Sequence, residues 1–117
     1  MSIQEIVGAK IDKAASSLNK FSINLNDGRG LLLEAGENND GFLINFNLVD
    51  GASLPQLSEA VCTVDWTWIE NSTVESVKSS NNSIEFKLSP AGPLVIGLGA
   101  WEGKPFLSFR PYRPAKK

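Results

Sequence analysis

The stretch VCTVDWTWIE (61–70) holds the densest set of side chains with chemical potential in this chain. Two carboxylates, Asp65 and Glu70, flank two indoles, Trp66 and Trp68. A pair of carboxylates can do acid–base work without histidine, as in glycoside hydrolysis. That chemistry needs both groups at one cleft. On a strand Asp65 and Glu70 lie an odd number of residues apart and face opposite sides, so a shared site requires a bulge. Read as a strand, the stretch points Cys62, Val64, Trp66 and Trp68 to one face. Neighbours on that face are about 6.5–7 Å apart.

A second aromatic feature lies downstream. Trp101 shares a strand face with Val95, Gly97 and Gly99, and glycines in a strand leave room for a ring or a ligand to approach the backbone. Together with Phe86 these residues define a candidate ligand-binding set: Trp66, Trp68, Phe86, Gly97, Gly99 and Trp101. The set either lines an apolar pocket or fills the interior as ordinary core. Large aromatic side chains dominate the energetics of small cores, which favours the second reading.

Other chemistry is thinly supplied. There is no histidine in 117 residues and a single cysteine, Cys62. Histidine is the commonest general base and metal ligand near neutral pH, so most hydrolase triads and transition-metal sites lack their parts. Cys62 has no histidine to activate it and no partner for an intrachain disulfide, so a buried, inert thiol is expected. Glu37, Asn38, Asn39 and Asp40 offer oxygen ligands, but Gly36 stands where a calcium loop wants its first acidic residue. Gly97-Leu98-Gly99 lacks the trailing glycine and lysine of a phosphate loop. No catalytic residue, metal or cofactor is expected.

The C-terminus concentrates positive charge. Arg110, Arg113, Lys116 and Lys117 supply four of the 11 basic residues, and Tyr112 adds an aromatic ring. The net charge is −2 and the sequence pI about 5.1, so the remainder is acidic. That balance argues against general binding to nucleic acid or anionic membranes, which selects basic proteins. These five residues are the candidate partner-contact set.

The elements that must position these residues follow from periodicity. Ile3, Ile6, Val7, Ile11, Ala14 and Leu18 recur at spacings of three and four, and Ser2 and Glu5 are placed for a capping box. They predict an amphipathic helix over 3–18. From Phe21 onward the period becomes two. Phe21, Ile23 and Leu25 alternate with polar residues, as do Ile84, Phe86 and Leu88. Asn26-Asp27-Gly28, Asp40-Gly41, Asp50-Gly51 and Glu102-Gly103 supply turns.

Short links favour antiparallel neighbours. The expected class is α+β, mainly β: the helix packed on a strongly bent antiparallel meander of seven or eight strands, an open or nearly closed barrel. Residues 1–110 form the expected single domain and 111–117 a Pro-rich basic tail. The start lacks the basic and apolar regions of a signal peptide, and no apolar run approaches a membrane span. A cytoplasmic location is expected, which makes the sequons at Asn71 and Asn81 chance matches. The expected function is a non-catalytic interaction or assembly module, with a protein partner or self-association. The alternative is a carrier holding a small apolar ligand in an aromatic-lined barrel.

Overall fold

A computed structural model describes residues 3–17, 19–38, 41–54, 65–80 and 82–110. Eight strands build two antiparallel sheets of four. The first sheet contains β1 (Ile11–Ser16), β2 (Lys20–Leu25), β3 (Arg29–Asn38) and β4 (Gly41–Asp50), in that order. The second contains β5 (Thr73–Ser79), β6 (Ser83–Ser89), β7 (Gly92–Trp101) and β8 (Lys104–Arg110), again in chain order. Each sheet is therefore a simple meander of hairpins.

Alternation explains the strands. In β6, Ile84, Phe86 and Leu88 are buried while Glu85 and Lys87 are exposed. Phe21, Ile23 and Leu25 are likewise buried in β2, as are Leu31 and Leu33 in β3 and Leu94 and Ile96 in β7. Side chains two apart share a face of a pleated strand, so each sheet presents one apolar face. The two apolar faces meet in one continuous core.

The turns match their chemistry. Asp27 Oδ1 accepts from the Arg29 amide at 3.0 Å, closing the β2–β3 hairpin. Glu102 and Gly103 both take positive φ, 51° and 78°, as the tight turn between β7 and β8 requires.

The two sheets are stitched along one side. The Gly8 and Ile11 amides donate to the Val74 and Ser72 carbonyls, both at 2.8 Å. The Asn71 and Val74 amides donate back to Ile11 and Ala9, at 2.7 and 2.9 Å. Residues 8–11 thus run antiparallel to 71–74, joining the β1 edge to the β5 edge. Among the described residues, the opposite edges, β4 and β8, have no strand neighbour beyond their own sheet.

Two expectations are corrected here. The N-terminal helix is absent: residues Ile3–Ile6 form a single 3-10 turn and β1 follows. Gly8 at φ 93° turns the chain out of any helical path, a conformation that L side chains rarely adopt. The helical spacing has another origin. A bulge between Ile11 and Lys13 puts two residues opposite one, so Ile11 and Ala14 face the core although they are three apart. Val7, assigned to the apolar stripe, is exposed. Leu18 and Ser2 lie outside the described residues.

The single bent meander is likewise replaced by two sheets, and the fold is all-β. No helix longer than one turn and no closed barrel occurs among the described residues.

Candidate functional site

Trp66 is the centre of the core's aromatic cluster. Its ring centroid lies 4.7 Å from Phe21 and 4.9 Å from Phe109, the latter edge-on at 87°. Phe21 and Phe109 are 5.8 Å apart. Edge-on and tilted contacts suit the positive rim and negative face of aromatic rings. The indole N–H donates to Ser16 Oγ at 2.9 Å, so the one polar atom of a residue only 4% exposed is satisfied. Trp66 bridges the two sheets, since Phe21 comes from β2 and Phe109 from β8.

The described part of the segment holding it, from Asp65 on, is not a strand. Trp66 precedes a 3-10 turn, Thr67–Ile69. Asp65 Oδ1 accepts from the Thr67 amide at 2.9 Å and from its hydroxyl at 2.6 Å. That places the Asp65 carboxylate at the start of the turn, where free amides need an acceptor. Glu70 closes the same turn, its amide donating to the Thr67 carbonyl at 3.2 Å. Asp65 thus serves the backbone.

The described members of the candidate ligand set, Trp66, Trp68, Phe86, Gly97 and Gly99, do not converge on one space. Trp66 and Phe86 point into the closed core, and Trp68 packs at its margin. Gly97 and Gly99 alternate with the buried Ile96 and the partly buried Leu98, so their Cα hydrogens face the other side of the sheet. There the Phe106 ring, on the residue paired with Gly99, lies directly over the missing side chain. Ser108 Oγ sits 2.9 Å from where a Gly97 Cβ would stand. The glycines accommodate their cross-strand neighbours, not an indole from the core. Of Trp101 only the backbone is described, pairing with Lys104.

Surface depressions lie elsewhere. One of about 350 Å³ opens on the outer face of the second sheet, lined by Ser76, Lys78, Glu85, Phe86, Lys87, Pro93 and Val95, so one residue of the candidate ligand set borders it. Another of about 640 Å³ lies where Glu5, Asp27, Arg29 and Asp50 meet. There the Arg29 guanidinium bonds both carboxylate oxygen Oδ2 of Asp27, at 2.7–2.8 Å, and the Glu5 carbonyl, at 3.0 Å. Its hydrogen bonds hold the Asp27 carboxyl below the usual carboxylate range. Both depressions are shallow.

Among the described residues, no three Cys, Asp or Glu side chains gather to hold a metal ion. Asn39 and Asp40 of the calcium candidate lie outside them, as do Cys62, Tyr112, Arg113, Lys116 and Lys117. Arg110 is exposed at the end of β8. No helix among the described residues is long and apolar enough to cross a membrane.

The sheet edges differ sharply, a feature that no motif search over the sequence reveals. An edge strand exposes unpaired amides and carbonyls, and proteins blunt such edges with lysine, proline or bulges. β1 has a bulge and exposed Lys13, and part of it is stitched to 71–74. β5 has a bulge and Lys78. β8 carries Lys104, Pro105 and Arg110. β4 has none of these: GFLINFNLV (41–49) is regular, ten residues long with Asp50, and without a charge before it. Phe42, Leu43, Phe46, Leu48 and Val49 are only half-buried. Its sequence signal was the missing charge in a strand already legible from alternation.

No family model, curated protein or solved structure matches the chain.

Proposed function

We propose that this protein is a non-catalytic assembly module that associates through the open β4 edge. The observation that supports this reading most is the contrast among the four edges: three carry protective devices, and β4 carries none. An unprotected edge of this length is a template for strand addition, with backbone hydrogen bonds supplying affinity and alternate side chains specificity. Its half-buried apolar residues add surface that pairing would remove from water. The scarcity of catalytic side chains agrees with a binding role, and Asp65 is occupied by a backbone turn.

The test is light scattering on the full chain across the micromolar range, beside Asn47→Lys. Asn47 is exposed, so the substitution adds a charge to the edge without disturbing the core. The expected result is a species of twice the monomer mass, shifted to monomer by Asn47→Lys with an unchanged circular dichroism spectrum. A monomer at every concentration, or an assembly indifferent to the substitution, overturns the reading.

A further inference from the structure

We infer that the occupant of the β4 edge is the β4 strand of a second copy, paired antiparallel about a two-fold axis through Phe46. This rests on the assembly reading above and adds the partner and the register. In antiparallel pairing, opposed residues share a face, so a two-fold axis can pair a strand with itself only through residues of equal parity.

The register centred on Phe46 sets Asn45 opposite Asn47 of the second copy and Leu43 opposite Val49 of the second copy, twice each by symmetry. On the core face it sets Phe46 against its own mate and Ile44 against Leu48 of the second copy. Between Leu43 and Val49, amide meets amide and apolar meets apolar on both faces. Directly opposed pairs are the unit of sheet stabilisation. The matched pairing runs from Leu43 to Val49; beyond it Phe42 stands opposite Asp50 of the second copy, where the Asp50 carboxylate accepts from the Ala52 amide of its own chain at 3.0 Å and the strand ends.

Centring on Asn45 instead opposes Leu43 with Asn47 and Gly41 with Val49. Centring on Asn47 shortens the ladder and opposes Asn45 with Val49. Both mix polar with apolar. Electrostatics point to the same partner. Self-pairing normally brings like charges together, as it would for β8 with Lys104 and Arg110 at its ends. Between Gly41 and Val49 there is no charge to repel its copy. Pairing in this register produces one continuous eight-stranded sheet with a symmetric, isologous junction.

The test uses two cysteine variants, Asn45→Cys and Asn47→Cys, each in the full chain carrying Cys62→Ser. Opposed Cα atoms are within disulfide reach, whereas diagonal neighbours stand about 7–8 Å apart, beyond it. Under mild oxidation, mixing the two variants is expected to yield a disulfide-linked dimer, and neither variant alone should. Cross-linking of Asn45→Cys with itself, or of Asn47→Cys with itself, overturns this register while leaving β4 assembly standing. A dimer by light scattering that cross-links in no combination overturns the second-copy β4 pairing. A monomer by light scattering overturns both the inference and the reading beneath it.

Discussion

Trp66 shows how much one side chain does when a small sandwich must be closed from within. Its ring contacts Phe21 from one sheet and Phe109 from the other. Trp66→Ala is expected to cost about 3–5 kcal/mol, read as a lowered urea midpoint. Ser16→Ala should cost about 1–3 kcal/mol by stranding the indole N–H. A near-neutral Trp66→Ala would place the ring outside the core. The surface pair Asp27–Arg29 belongs to a different regime. Both side chains are more than a third exposed, so Asp27→Asn should cost less than about 1 kcal/mol at neutral pH. Because the guanidinium lowers the Asp27 pKa in the folded state, the pair stabilises above the unfolded carboxylate value of about 3.9. That contribution is lost as pH falls through the lower folded value. Stability curves of wild type and variant should therefore converge in acid; a gap that persists there would contradict the pairing. The burial of Trp66 was legible from its apolar setting, whereas its turn conformation was hidden, because Asp65 and Thr67 hydrogen-bond locally in a pattern that alternation does not report.

At the scale of elements, the sequence read well wherever a strand was regular. Phe21, Ile23 and Leu25, or Ile84, Phe86 and Leu88, announce their faces directly. It misled in β1, where a bulge intervened: Ile11 and Ala14 face the core at a spacing of three, which is also the spacing of a helix. Val74 and Val77 in the bulged β5 show the same spacing. The two bulged strands are the pair whose ends are stitched between sheets. Bulges sharpen local twist, which suits a corner where the chain leaves one sheet's edge to meet another. The β7–β8 hairpin makes a sharper prediction. A Cβ on Gly99 would collide with the Phe106 ring, so Gly99→Ala should cost about 1–3 kcal/mol. Gly97→Ala meets only a serine hydroxyl, which can rotate away, and should cost less. Equal losses in thermal melts would contradict the aromatic cover over Gly99.

For the whole molecule, the decisive asymmetry is that two sheets are joined along β1 and β5 and, among the described residues, left open along β4 and β8. The sequence foretold the strands from β2 onward but not this arrangement, because sheet partition depends on contacts between residues some sixty apart, such as Ile11 with Asn71 and Ser72. Charge patterning then separates the two open edges, leaving β4 bare. The proposed register also predicts a charge swap. Asn45→Lys with Asn47→Lys sets lysine opposite lysine and should abolish association. Asn45→Lys with Asn47→Glu sets lysine opposite glutamate and should retain it. Loss of the dimer in the second variant would contradict the register.

The most direct measurement is amide hydrogen exchange followed as a function of protein concentration. Backbone amides of β4 that point away from β3 should become protected as concentration rises, while those on the outward edge of β8 exchange at one rate throughout. Exchange in β4 that ignores concentration, or protection that appears along β8 instead, would contradict assembly through the bare edge.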